Sequence, residues 1–309
     1  MAALISSSVI LGDVTTTYAA DSTVQAKAIV EEMTIEQKIG QMLMPDFRQW
    51  KMDGEDAVSD FTTMNAEVAQ IIDDFDLGGV ILFAQNVKTT EQTTKLTHDL
   101  QQVIANDESN DLPLLITVDQ EGGIVTRLGT GTSLPGNMAL GATKNELSSY
   151  RAGSVIGKEL NSLGINVNFS PSLDVNNNPA NPVIGLRSFS SNADLVSKLG
   201  IKMINGIQEQ GVSGAAKHFP GHGDTATDSH YGLPVVDKSE LKEIELKPFK
   251  AAIENGVDMI MTAHVQLPQI ERDTVISKND GQEIGIPSTL SDDVLTGVLR
   301  EDMVYNGII

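Results

Sequence analysis

The sequence predicts an α/β protein on a parallel sheet, laid out as a TIM (β/α)8-type barrel that is incomplete at its C-terminal end. Three observations predict it. Short apolar runs alternate with capped, amphipathic segments along most of the 309 residues. The charged and polar motifs fall just after the apolar runs, which is the loop-bearing end of such a barrel. The length covers the roughly 250 residues a barrel takes. No GxGxxG follows the first apolar run, which disfavours a dinucleotide-binding sheet.

The elements follow in order. Thr34-Ile35-Glu36-Gln37 reads as a capping box opening a short helix. Ile39 to Met44 is apolar and reads as the first strand, and Asp46 to Asn65 is polar and irregular around Trp50. Val68 to Phe75 reads as helix, Gly78 to Phe83 as a buried strand and Thr90 to Ala105 as helix. Leu114 to Val118 is a β-rich run that delivers Asp119 at its end. Thr143-Lys144-Asn145-Glu146 reads as a second capping box, before a helix running to about Leu163 and stopped by Gly164. Ile165 to Phe169 is the next strand. Asn192 to Gln210 carries Leu195, Leu199, Met203 and Ile207 in one helical stripe, with Gly211 as the C-cap. A strand then leads into Lys217. Pro248 to Glu254 is helical, Asp258 to His264 is a strand, and Ser291 caps a helix whose first turn holds Asp292 and Asp293. Tyr305 to Ile309 begins one more strand. The expectation is six full strands, the start of a seventh, and one barrel domain over residues 21–309 that lacks its last strands.

Composition narrows the partners. A net charge of −21 makes nucleic acid and anionic membrane surfaces poor partners and favours a neutral or small substrate. With no cysteine there is neither a disulfide nor a thiol nucleophile. Residues 1–20 differ from the rest. Ala2 to Gly12 is small and apolar, and Thr17-Tyr18-Ala19-Ala20 suits a cleavage region, so the segment reads as a secretory signal remnant. The first lysine is Lys27, so the basic start of such a signal is missing. The run is too short and too rich in Ser and Thr to span a membrane. A secreted or cell-surface protein is expected, with the cytoplasm as the alternative.

The chemistry concentrates in residues 215–234. This stretch holds His218, His222 and His230, three of the five histidines. His218 and His222 have the i, i+4 spacing of helical zinc ligands, but Pro220 and Gly221 lie between them and oppose a helix. Zinc on loop ligands, or a polar loop of hydrogen-bonded histidines without chemistry, are the alternatives. Asp228 and His230 point the same way in an extended segment. A carboxylate there holds one imidazole nitrogen and leaves the other to exchange a proton.

Lys217-His218-Phe219-Pro220-Gly221-His222-Gly223-Asp224, followed by Asp228-Ser229-His230, resembles the signature of the bacterial β-N-acetylglucosaminidases of glycoside hydrolase family 3. The resemblance extends over roughly residues 34–309. It implies that Asp228 and His230 are the acid/base pair. Asp119-Gln120-Glu121-Gly122-Gly123 and Arg127 also match, and the resemblance assigns sugar binding to Asp119 and Arg127. The family often has arginine after the second glycine, where this chain has Ile124. Asn168 to Asn176 and Asn181 to Phe189 match as well, with Arg187 a sugar ligand and Asp174 structural. Lys217 and His218 become ligands for sugar hydroxyls, and His264 shapes the site.

The function so implied is a retaining glycoside hydrolase. It would remove β-linked N-acetylglucosamine from peptidoglycan fragments or chitin oligosaccharides, without metal or organic cofactor. The family's aspartate nucleophile is expected beyond Ile309, so the 309-residue chain itself is expected to be inactive. A β-glucosidase of the same family is the nearest alternative, but such enzymes lack the Asp-Ser-His loop. A phosphorylase using phosphate as acceptor and a non-catalytic sugar-binding protein are the others.

Overall fold

The computed structural model describes residues 24–51, 54, 56–105, 112–236, 241 and 243–309. The signal-peptide reading of residues 1–20 falls outside the described residues.

A five-stranded parallel sheet is the frame. Its strands are Gly79–Leu82, Leu115–Val118, Val167–Asn168, Ser213–Phe219 and Met259–Thr262, paired in that order. Two hairpin strands, Gln49–Trp50 (β1) and Ser59–Asp60 (β2), precede them, so the sheet strands are β3 to β7. The register brings Val80 beside Ile116, Val118 beside Asn168 and Ala215 beside Met259. Single parallel bridges extend the arc at both edges, Asp46 with Ile81 and Met259 with Ile308. The described residues form a parallel α/β sheet and do not close into a barrel.

Strands and helices alternate as the patterning predicts. The helices are α1 (Ile35–Gln41), α2 (Ala66–Asp74), α3 (Thr90–Ala105), α4 (Asn137–Thr143), α5 (Glu146–Ser162), α6 (Ala193–Gln208) and α7 (Leu246–Glu254). A wider-wound helix spans Asp293–Asp302, with Ser291 Oγ accepting the Val294 N–H at 3.1 Å. Their apolar stripes meet one face of the sheet, where Val80, Ile116, Val118, Leu160, Met203, Ile207, Ala216 and Phe249 share one buried cluster. Side chains alternate along a strand. The other face accordingly carries a smaller cluster of Val167, Ala215 and Met259. Among the described residues no helix is long and apolar enough to cross a membrane.

Two expectations change. Ile39 to Met44 is not a strand. α1 runs through it to Gln41, and the capping box is formed by Gln37 N–H to Thr34 Oγ1 at 3.2 Å and Thr34 N–H to Gln37 Oε1 at 3.0 Å. The run places Ile39, Met42 and Leu43 at i, i+3 and i+4, a helical period, and all three remain exposed. The chain meets the sheet later, at Asp46. The second capping box is also displaced. Asn145 is the N-cap of α5, accepting the Ser148 N–H at 3.2 Å, while Thr143 ends the unanticipated α4. The hairpin of β8 (Thr274–Ile276) and β9 (Glu283–Gly285) was likewise not predicted.

α5 and α6 cross backbone to backbone. A Cβ on Gly206 would lie 2.3 Å from the Tyr150 carbonyl oxygen, closer than any real contact. Gly206→Ala should therefore push the helices apart and cost about 1–3 kcal/mol, read as a lower urea midpoint with an unchanged slope.

Candidate active site

The site assembles where β4, β5, β6 and β7 end. β4 delivers Asp119, Gln120 and Glu121. The Asn168 side chain at the end of β5 clamps this turn, accepting the Gln120 N–H at 2.9 Å and donating to the Gln120 carbonyl at 2.9 Å. Gln120 Oε1 in turn accepts the Arg127 N–H at 2.8 Å, which sets where Arg127 leaves the backbone.

Lys217, in β6, is 1% exposed. Its Nζ donates to Asp119 Oδ1 at 2.6 Å and lies 2.7 Å from Glu121 Oε1. Glu121, 3% exposed, also takes a two-pronged grip from Arg187: Nη2 to Oε1 at 2.8 Å and Nε to Oε2 at 3.1 Å. Burial pushes the Glu121 carboxyl up, but Lys217 and then Arg187 outweigh it and hold the group down to about 2. Two cations and two carboxylates thus balance each other in a buried setting, where a lone charge would be costly.

Arg187 stands in a single 3-10 turn, Gly185–Arg187. Asn181 holds the loop ahead of it, with Oδ1 accepting the Val183 and Ile184 N–H groups at 2.9 and 2.7 Å. Asn181 Nδ2 donates to the His222 carbonyl at 2.8 Å, which ties this loop to the one after β6. A Cβ on Gly223 would lie 1.8 Å from the Val175 carbonyl oxygen, so the loop after β6 packs there only with glycine.

Asp174 is fully buried and accepts four donors. These are Ser172 Oγ–H at 2.9 Å, the His218 N–H at 3.3 Å, the His222 N–H at 2.7 Å and His218 Nδ1 at 2.6 Å. Burial pushes the Asp174 carboxyl up, but the His218 ring and then His222 outweigh that, hold it well below the usual carboxylate range and keep it ionised. His218 Nε2 sits 3.2 Å from Arg187 Nη2. Arginine only donates, so Nε2 accepts and Nδ1 carries the proton toward Asp174. Burial pushes the His218 ring below the ordinary histidine range against the pull of Asp174, in keeping with this neutral tautomer.

These groups open onto a cavity of about 280 Å³ lined by Asp119, Arg127, Arg187, Lys217, His218, His222, His230 and His264, among others. The structure therefore brings together Asp119, Arg127, Arg187, Lys217 and His218 from separate strand ends. Asp228 accepts the His230 N–H at 2.9 Å and pairs with His230 Nδ1 at 2.7 Å, both through Oδ1. The His230 backbone N–H first, then its ring, holds the Asp228 carboxyl below its ordinary value. The His230 side chain is 74% exposed on its turn, at the rim of the cavity. His264 Nδ1 lies 3.1 Å from Thr289 Oγ1. Among the described residues no group of three or more His, Asp or Glu is arranged to hold a metal ion.

Glu121 is the residue that sequence reasoning passed over. It sits in a motif the reading quoted, one step from a glycine pair, and only the fold shows that it buries its carboxylate between Lys217 and Arg187. Asp119 pairs with Lys217, and Arg187 grips Glu121.

The model of the Glycosyl hydrolase family 3 N terminal domain matches residues 34–309. Beta-hexosaminidase A of Pseudoalteromonas piscicida is 43% identical over 295 residues, which are 92% of this chain and 49% of that protein. A glycoside hydrolase family 3 beta-N-acetylglucosaminidase from Paenibacillus sp. str. FPU-7 superposes with a TM-score of 0.79 at 44% identity, covering 89% of this chain and 48% of that one. NagZ from Neisseria gonorrhoeae in complex with N-trifluoroacetyl-D-glucosamine superposes with a TM-score of 0.72 at 31% identity, covering 86% and 72%. The chain thus spans about half the length of the first two. Family match, fold and site geometry agree: the chain belongs to glycoside hydrolase family 3, as its N-terminal domain.

Proposed function

We propose that this chain carries the sugar-binding and proton-transferring part of a retaining β-N-acetylglucosaminidase, on a scaffold of (β/α)8-barrel type. The observation that carries the reading is the buried Asp119–Lys217–Glu121–Arg187–His218 network, which opens into the same cavity as His230. The names of the relatives point to the same sugar.

Each group has a role its geometry suits. Asp119 is the exposed end of the network, its side chain 18% accessible, and Lys217 keeps one oxygen engaged. The carboxylate is thus presented to a pair of sugar hydroxyls. Arg127, Arg187, Lys217 and His218 add donors and an acceptor around the ring. His230, with Nδ1 held by Asp228, offers Nε2 to the glycosidic oxygen. It gives a proton as the bond to the leaving sugar breaks, then takes one from the water that releases the product. Asp119 and Glu121 are both engaged by Lys217, so neither suits attack at the anomeric carbon. The role of nucleophile stays with the aspartate that the family resemblance implies. N-acetylglucosamine-terminated peptidoglycan fragments or chitin oligomers are the proposed substrates, met outside the cytoplasm.

The test has two readouts. Calorimetry on the 309-residue chain should show N-acetylglucosamine binding that Asp119→Asn weakens about 10–100-fold, the worth of a charged hydrogen bond. The full-length protein should release aryl alcohol from an aryl N-acetyl-β-glucosaminide at a rate independent of phosphate. Unchanged binding by Asp119→Asn would remove Asp119 from the sugar site. Release that requires phosphate and yields sugar 1-phosphate would make the protein a phosphorylase.

A further inference from the structure

Of the described residues that line the cavity, two are exposed, His230 and His264, and the others are buried or half-buried. The network around Lys217 holds a sugar at depth, so these two imidazoles face what emerges at the mouth. His230 has a role there under the function proposed above. His264 has none yet.

The setting of His264 fixes what its ring can do. It stands two residues past the end of β7, beside a single 3-10 turn, Ser288–Leu290. That turn is fastened to the extension of the strand. Ser288 is buried, and its N–H and its hydroxyl both donate to the Val265 carbonyl, each at 2.8 Å. The Thr289 hydroxyl donates to the Ala263 carbonyl at 3.1 Å and accepts from Thr262 Oγ1 at 3.3 Å. A hydroxyl has one proton to give, and here the carbonyl receives it. The contact between Thr289 Oγ1 and His264 Nδ1 at 3.1 Å is therefore a donation from Nδ1–H. A neutral imidazole with its proton on Nδ1 carries a lone pair on Nε2, and no described residue occupies it.

His222 is built alike. The Thr225 hydroxyl donates to the His222 carbonyl at 3.0 Å, so Nδ1–H donates to Thr225 Oγ1 at 2.6 Å and Nε2 is again an acceptor. That nitrogen is buried without a partner, closed off from anything outside the cavity wall. His264 presents the same lone pair at the mouth.

We propose that His264 determines specificity for the leaving group: its Nε2 accepts a hydrogen bond from a hydroxyl of the departing sugar, one of those flanking the glycosidic oxygen. The inference rests on the reading of the protein as a glycosidase whose His230 meets that oxygen. Arg127, Arg187 and Lys217 can only donate. A sugar hydroxyl that must give its own proton finds Asp119 at depth and His264 at the mouth. A departing sugar carries such hydroxyls beside the bond, and an aryl group carries none.

The experiment uses the full-length protein, an unactivated N-acetylglucosamine disaccharide and an aryl N-acetyl-β-glucosaminide. His264→Asn keeps an amide N–H for Thr289 and removes the acceptor at Nε2. His264→Gln can return an oxygen near that position. With slow chemistry, KM on the disaccharide reports binding. It should rise about 3–10-fold in His264→Asn, the worth of one neutral hydrogen bond, while kcat stays near the wild-type value. KM on the aryl glycoside should not move, and His264→Gln should recover part of the loss. Two further disaccharides each lack one of the hydroxyls that flank the glycosidic oxygen on the leaving sugar. One of them should already show the raised KM with wild type, and His264→Asn should add nothing to it. An unchanged KM on the parent disaccharide, an equal rise on both substrates, or a loss confined to kcat would each overturn the proposal. Normal His264→Asn beside an impaired His230→Ala would sink this inference alone. A full-length protein that does not cleave the disaccharide would sink the proposed function and this inference together. If the His264 variants fail to fold, Thr289→Val decides, because it releases the proton from Nδ1. It should raise KM to a smaller extent and on the disaccharide only, and an equal rise on both substrates overturns the assignment.

Discussion

Glu121→Ala should cost the fold about 3–5 kcal/mol, because it leaves Lys217 and Arg187 buried beside an empty space. No surface substitution approaches that. Glu121→Gln separates charge from shape. It keeps the side-chain volume and one acceptor but removes the negative charge that balances two cations. The pH dependence then has a definite sign. The Glu121 carboxyl is held at about 2 in the folded chain against 4.5 for an ordinary glutamate. A depressed folded value means stability that is present above about 4.5 and lost as pH falls through about 2. The difference in unfolding free energy between wild type and Glu121→Gln should therefore be full at pH 6–7, on the order of 3 kcal/mol. It should shrink steadily below pH 4.5. Urea midpoints at a series of pH values measure it, and a difference that stays constant from pH 6 to pH 3 would show that the charge of Glu121 does not stabilise the site. N-acetylglucosamine binding should fall together with stability, since Glu121 sets the positions of both Lys217 and Arg187.

Much of the frame was legible in the residues, and the reasons are local. α3 and α6 announce themselves by their apolar period and their termini, and the strands by short apolar runs ending at Asp119, Lys217 and His264. Asp228 and His230 meet in a hydrogen-bonded turn rather than the expected extended segment: the Asp228 carbonyl accepts the Tyr231 and Gly232 N–H groups at 3.1 and 3.2 Å, and its carboxylate accepts the His230 N–H at 2.9 Å, all of it local to five residues. Other features were not legible, because distant parts of the chain decide them. Ile39 to Met44 is apolar enough for either strand or helix, and the cap at Thr34 tips it. The network around Lys217 joins residues 98 positions apart to Asp119 and 66 positions apart between Glu121 and Arg187. A motif can name such residues, but only the sheet order decides which carboxylate receives which cation. His222 illustrates the same limit: its loop setting was evident, while its orphaned nitrogen exists only in the folded packing.

His230→Ala in the full-length protein should lower kcat about 10²–10⁴-fold on an unactivated N-acetylglucosamine disaccharide, the usual worth of a general acid/base. KM should change little, because the ring sits at the rim of the cavity while the buried network holds the sugar. The loss should depend on the leaving group. The sugar leaving from a disaccharide departs as an alkoxide unless a proton arrives with bond breaking, whereas an acidic aryl alcohol departs unaided. The aryl glycoside should thus lose far less in the first step, and its remaining loss reports the second, where the same ring must deprotonate water. Asp228→Asn should follow the same pattern at smaller amplitude. The amide can still accept the His230 N–H, but it supplies no charge to stabilise the imidazolium formed as the ring takes up a proton. Equal losses on both substrates would mean that His230 does not protonate the leaving group. A raised KM with unchanged kcat would make it a sugar ligand, and the acid would have to be sought elsewhere in the cavity, which His264 also lines.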